Sequence, residues 1–510
     1  MKRSLKVLFN TLCLYGKMIV TTIIALYLTR VVLNYLGTND FGIYSLIGGV
    51  ISLLSFVNSA LMVSSQRYLS VALGEKNYSK VKDIFSSSIL IHIAMTVFLV
   101  LLFELCSLFL FDHFLNIAPQ RISAAKVVYQ LMIVSTIFTV LGVPYNAIIN
   151  AKEDLWMFSI IESLCALLKL GIIIIFHLSK SDALILYTGW IMIVTILNFL
   201  FKFVWCKIKY SECSSVSLSI GRNRKIIRQM LGFSGWNAFG TLALIGRNQG
   251  AAIVLNLFWG TAINAVYGIA NQVNSQLIYF STMMTTSMAP QIMKSYGEGN
   301  NKRMLSLSVF TCKLAFLLSA IFAIPLLIEM NFILKVWLKD VPEYTSIFCT
   351  LVVYMFLFMQ LTPGLSRAIQ ATGKIKWYQI ITSGLMLLPI PIAILLGHLG
   401  GSNLVILYAM IFSQALSALS SVYLANRIIG LDVKKFLIFI AKAMMSFIFI
   451  YIVGLFVERA ISAVYSEWVT FFIIVPITMV SFASIYFLLV FDLQDKERVI
   501  NVVRDLRRKR

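Results

Sequence analysis

The sequence predicts an all-α polytopic membrane protein with fourteen transmembrane helices, arranged as two parallel six-helix repeats followed by a C-terminal pair. Three observations carry that prediction. The 510-residue chain is 59% hydrophobic and only 13% charged, with a mean hydropathy of +0.88, whereas soluble domains carry about 25% charged residues. Apolar runs of roughly 20 residues, long enough to cross a bilayer, recur along the whole length. Three short phrases from the first half also return, in order, in the second.

Helix 1 has its core near 10–34, and no small-residue cleavage site follows it. It therefore reads as a retained helix and not as a removed leader. Helices 2 to 6 have cores near 42–64, 85–110, 125–149, 155–177 and 183–205. Helices 7 to 12 follow near 229–256, 262–288, 304–328, 344–366, 377–398 and 404–426. Helices 13 and 14 lie near 435–457 and 469–491. This divides the chain into an N-lobe (1–222), a C-lobe (223–430) and a terminal pair with a basic tail (431–510).

Loop charge gives the sidedness. Arg67, Lys76, Lys80 and Lys82 follow helix 2, Lys202 to Arg228 follow helix 6, and the chain ends in "RRKR". The opposite loops hold only Arg121, Lys126, Lys180, Lys335, Lys339 and Arg459. Basic residues concentrate on the cytoplasmic side, so both termini are expected in the cytoplasm of a bacterial inner (plasma) membrane. That bias also accounts for the net charge of +22 without nucleic acid, since no basic soluble domain is present to bind it.

Several classes of chemistry find no support. The seven cysteines form no CxxC pair, and the four histidines are scattered. Neither a metal site nor a disulfide framework is indicated. No phosphate-binding ATP loop occurs, and the outer loops are too short for a polymerase or ligase domain. The chain is therefore read as a non-enzyme without a bound cofactor. A proton or sodium gradient is the candidate energy source.

The first repeated phrase is "VLNYLGTNDFGIY" (32–44), echoed as "VLNLFWGTAINAVY" (254–267). At an offset of 223, Gly37 meets Gly260 and Tyr44 meets Tyr267. The same offset places "GEKN" (74–77) on "GEGN" (297–300). The third echo sets Pro144 against Pro363 and Trp156 against Trp377. A unit of six helices keeps the same orientation when copied, which implies an axis along the membrane normal and a site where the halves meet.

Charges inside the spans are the candidate site. A Lys or Arg at the centre of a lipid-facing helix costs about 2.5–3.5 kcal/mol. Lys17, Arg30, Lys169 and Arg247 are the bets for a cationic pathway. Lys313 and Lys442 lie close enough to the inner surface to snorkel. Glu162 stands seven residues before Lys169, on the same helical face, as an ion-pair partner or a titrating relay. Asn248, Gln249, Asn271 and Gln272 add polar groups in helices 7 and 8, as pathway lining or as helix-to-helix bonds. An excess of buried positive charge suits an anionic substrate, and a planar guanidinium suits phosphate oxygens.

The stretches "LTRVVLNYLGTNDFGIYSL", "QRYLSVALGEKNYSKV" and "PYNAIINAKEDLWMFSIIE" resemble the Wzx-type polysaccharide and O-antigen flippases of the MOP exporter superfamily, which also holds the MATE exporters and the lipid II flippases. The resemblance implies a two-lobed MATE-like fold with a cationic lumen. It implies translocation of an undecaprenyl-diphosphate-linked oligosaccharide, a unit of O-antigen, capsule or exopolysaccharide, by alternating access. Lipopolysaccharide or other polysaccharide biosynthesis is the implied setting. A monomer among membrane lipids is expected, with a polysaccharide polymerase and a chain-length regulator as candidate partners. The competing readings are a MATE-type ion-coupled drug or metabolite antiporter, which would favour intramembrane acids, and a lipid II flippase.

Overall fold

The computed structural model describes residues 3–52, 55–111, 117–178, 181–214 and 220–507. Lys2, Lys180 and the last three residues of the basic tail lie outside them. Every regular element among the described residues is helical, as apolar runs in a bilayer require, because each backbone group must be satisfied within the segment.

The chain forms two compact units, Phe9–Ala238 and Phe239–Arg510, the latter joined by Met1–Leu8. The first holds most of α1 (Arg3–Ser52), α2 (Ser55–Gly74), α3 (Tyr78–Phe109), α4 (Ile122–Ala151), α5 (Leu155–Lys169), α6 (Ile172–Leu178), α7 (Ala183–Lys209) and the start of α8 (Ile220–Gly297). The second holds the rest of α8, then α9 (Asn301–Ile328), α10 (Met330–Leu338), α11 (Thr345–Met359), α12 (Pro363–Thr372), α13 (Lys376–Leu387) and α14 (Pro389–His398). It ends with α15 (Val405–Ile429), α16 (Val433–Ser462), α17 (Glu467–Leu489) and α18 (Leu493–Arg507).

Among the described residues, eleven helices are long and apolar enough to cross a membrane, or twelve if α11 and α12, bent by 43°, are one span. This differs from the fourteen expected, for two physical reasons. The predicted second span is divided between the end of α1 and α2. The stretch of α8 that passes as one crossing covers 74 residues, although a non-helical residue, Gly260, interrupts it. At 1.5 Å per residue its turns add up to about 110 Å, several times the roughly 30 Å hydrocarbon core.

The three echoed phrases coincide with breaks in the backbone. Gly37 (φ 72°, ψ 173°) interrupts α1, and Gly260 (φ 84°, ψ 179°) interrupts α8. This region of backbone space is open essentially to glycine alone. Lys76 and Gly299 have positive φ at the next matched pair, as do Glu153 and Gly373 at the third. The "GEKN" and "GEGN" turns also share their chemistry. Asn77 caps α3 by accepting from the Lys80 amide at 3.0 Å, and Asn300 caps α9 by accepting from Arg303 at 2.9 Å. Glu75 pairs with Lys80 at 2.7 Å, and Glu298 with Arg303 at 3.0 Å.

In the N-terminal unit α4 is central and packs against α2, α3 and α7. Val32, Ile47, Tyr129, Val140 and Leu184 form one buried core, and the Tyr129 hydroxyl donates to the Phe103 carbonyl at 2.7 Å. Serines line the approach of α2 to α3: Ser64, Ser65, Ser86, Ser87 and Ser88 are all buried. Small side chains let helices close up without a hydrophobic drive. Arg121 ties three elements, donating to Asp40 at 2.9 Å and to Asp182 at 2.5 Å. Burial opposes ionisation of Asp182, but Arg121 and the Ile185 and Leu184 amides outweigh it and hold the carboxyl below its ordinary range.

In the C-terminal unit α9 packs against α12, α16 and α17, while α15 packs against α11, α13 and α14. Gly364 lets α12 touch α9, since a β-carbon there would stand 2.0 Å from the Ser308 carbonyl oxygen. The Tyr486 hydroxyl of α17 donates to the Lys313 carbonyl of α9 at 2.9 Å. The Lys313 ammonium reaches Asp492 at 3.1 Å and Asp495. Lys313 is thus buried and paired; it does not snorkel. Lys442 is exposed.

Candidate functional site

Among the described residues, each unit buries basic side chains within its helices. In the N-terminal unit a basic centre is built from α1, α5 and α7. Glu162 on α5 accepts from Lys202 of α7 at 2.5 Å and from Asn198 at 3.2 Å. Phe158 stands one turn before Glu162, and two ammonium groups lie over its ring: Lys17 at 5.0 Å and Lys202 at 5.1 Å from the centroid. Lys17 also feels the Glu162 charge. Two lysines therefore meet on one aromatic face beside one carboxylate, and among the described residues only Lys202 forms an ion pair with it.

The expected partner of Glu162 was Lys169, and the structure corrects this. Residues seven apart share a face but stand two turns, about 10.5 Å, apart along the axis. Lys202 is 3% exposed at its side chain and arrives directly from α7, which packs on α5. Lys169 is the last residue of α5 and half-buried. Arg30 is exposed on α1. Neither joins the Lys17–Glu162–Lys202 cluster through a resolved contact.

In the C-terminal unit the centre is Arg247, at 1% exposure the largest fully buried side chain among the described residues. Its Nε donates to Asn248 Oδ1 at 3.3 Å and its Nη1 to Gln414 Oε1 at 3.4 Å. Tyr267, itself buried, is close enough to interact with its charge. Among the described residues no carboxylate forms an ion pair with Arg247. A desolvated guanidinium held only by amide oxygens retains strong affinity for an anion, because its five donors are incompletely matched. Its burial means that the helices around it must part before a ligand reaches it.

Asn248 is thus a partner of Arg247, Asn271 is half-buried one turn beyond Tyr267, and Gln249 and Gln272 are exposed. Lys202, Asn198, Phe158 and Gln414 were missed. Lys202 read as loop charge because it lies near the end of α7, and only packing of α7 on α5 reveals its role. Gln414 carries no sequence signal that separates it from other polar residues in spans.

A multi-pass helical membrane protein that keeps unsatisfied charge inside its units has the build of a membrane transporter. The MatE family profile matches residues 14–175 and 248–395, more than half of the chain. The chain belongs to the MatE family, whose members are transporters. Its fold is similar to that of a MATE protein in a bent conformation, with a TM-score of 0.72 at 13% identity, over 85% of this chain and 99% of that one. It is similar to an outward-facing multidrug resistance MATE transporter of the MOP superfamily, with 0.68, 14%, 84% and 98% for the same measures. A MOP superfamily transporter from Pyrococcus furiosus, whose binding pocket of reverse polarity suggests a different function, gives 0.69, 15%, 84% and 96%. No curated protein sequence matches.

Proposed function

We propose that the chain is a flippase that moves an undecaprenyl-diphosphate-linked oligosaccharide across a bacterial inner membrane by alternating access. The observation that carries this reading is the sign of the buried charge. Among the described residues Arg247 has only neutral acceptors, and the one carboxylate beside Lys17 and Lys202 is paired with Lys202. A diphosphate offers oxygens of the kind each centre lacks, with Arg247 as a planar fork and the lysines as point charges. Arg30 and Lys169 are proposed as further pathway cations outside these two centres.

The proposal includes the finer architecture: fourteen spans, with α8 crossing twice about Gly260, in two parallel repeats. The two separate matches to one family profile support it, as do the paired backbone breaks at Gly37 and Gly260. The N-lobe (1–222), C-lobe (223–430) and terminal pair (431–510), cytoplasmic termini, a monomeric state, and polymerase and chain-length regulator partners belong to the same reading. The second reading is a MATE-type antiporter of cationic compounds, favoured by the multidrug transporters among its fold relatives.

Competition separates them. The purified chain should bind undecaprenyl diphosphate at least about tenfold more tightly than uncharged undecaprenol, and Arg247→Gln should erase most of that preference. Displacement by cationic drugs, with no preference for the diphosphate, would favour the antiporter.

A further inference from the structure

Beyond the basic centres, the C-terminal unit holds an acidic pocket where α9 turns into α10. Glu329 is the residue between them and caps α10. The pocket encloses about 190 Å³, with Glu329, Asn331 and Lys335 on one side and Glu467 and Thr470 from α17 on the other. That volume holds several waters at about 30 Å³ each, or an ion with part of its hydration shell. Glu329 is 7% exposed and Thr470 2%. Glu329 Oε1 and Thr470 Oγ1 are both buried and without a hydrogen-bond partner.

Two orphaned oxygens on different elements, in residues that line one cavity, require an explanation. The other acid of the pocket is already neutralised, since Glu467 accepts from Lys335 at 3.0 and 3.1 Å. Glu329 therefore carries the one uncompensated charge of the lining, and Glu458 of α16 adds to the negative field on it. An alcohol and a carboxylate oxygen are hard ligands that suit alkali and alkaline-earth ions. Among the described residues no three acids, histidines or cysteines converge closely enough to hold a metal ion by themselves. A single charge with neutral oxygen co-ligands suits a monovalent ion better than a divalent one.

We propose that this pocket binds a monovalent, oxygen-preferring cation through Glu329 and Thr470, with Na⁺ as the probe, and that the ion fastens α17 to the junction of α9 and α10. The same two helices are already joined further along α9 by Tyr486 on the Lys313 carbonyl. The ion would close the other end of this contact. The site is independent of the cargo the transporter carries.

The test is thermal unfolding of the full chain in lipid nanodiscs, in NaCl, KCl or choline chloride at equal ionic strength, with CaCl₂ as a further arm. A ligand that binds only the folded state raises the unfolding temperature with concentration. Na⁺ should raise it in wild type over choline. Thr470→Val, which keeps the shape and removes one ligand, should raise the half-saturating Na⁺ concentration about tenfold. Glu329→Gln should abolish the response while remaining folded in choline. Equal unfolding temperatures in all salts would overturn the proposal, as would a response to Ca²⁺ alone or a Na⁺ response that survives both substitutions.

Discussion

Glu162 shows how a single contact changes the reading of a site. Breaking a buried ion pair by removing one partner costs about 3–5 kcal/mol, because the other charge is stranded. Glu162 keeps 30% of its side chain exposed, which softens that penalty. Lys202→Met should therefore destabilise the chain by about 1–3 kcal/mol. Adding Glu162→Gln should recover most of the loss. A double-substitution cycle in thermal unfolding measures the coupling, and additive losses would show that the pair is not energetically linked.

Glu329 gives a pH dependence of definite sign. Burial first, then Glu458 and Glu467, raise its carboxyl above the ordinary 4.5. A raised folded-state value means that the folded protein binds the proton more tightly than the unfolded chain. Its contribution is present below the unfolded value and is lost as pH rises through the folded one. In choline buffer Glu329→Gln should thus be more stable than wild type near pH 8, with the advantage fading as pH falls toward 4.5. Unfolding temperatures across that range check it, and a gain that grows on acidification would contradict it.

At the scale of elements, the breaks matter more than the helices. A β-carbon at Gly37 or Gly260 meets no atom within 4 Å, so any cost of Ala there is conformational. Gly37→Ala and Gly260→Ala should each cost about 1–3 kcal/mol. Gly364→Ala should cost about as much for the opposite reason, because its β-carbon collides with the Ser308 carbonyl and α12 must move off α9. Denaturation of the three variants separates these causes, since only Gly364→Ala should loosen the packing of α12 on α9. The breaks were legible in the sequence because a left-handed residue or a cap demands particular side chains. Glycine at 37 and 260, and asparagine at 77 and 300, left a trace in the repeated phrases. Lys76 and Glu153 adopt positive φ without being glycine, so their side chains alone do not announce a break.

For the whole molecule, hydropathy was enough to reach a helical, multi-pass membrane fold, because a bilayer tolerates few alternatives. The site was legible in kind but not in detail. The cost of a buried base marks Arg247 and Lys17 from sequence alone. Lys202 and Gln414 stand 40 and 167 residues from the groups they bond, and no local periodicity encodes such a contact. α10 was missed as well, since its nine residues fall short of a span. The acidic pocket it helps form was therefore invisible before the fold.

The central claim is that the buried bases serve an anionic lipid-linked cargo. It is tested most directly by translocation of a labelled undecaprenyl-diphosphate oligosaccharide in proteoliposomes, comparing wild type with Arg247→Ala and Lys17→Ala. The account predicts transport by wild type and at least about a tenfold loss in each variant, with folding intact. Absence of wild-type transport with any lipid-diphosphate glycan, alongside efflux of cationic drugs, would contradict it.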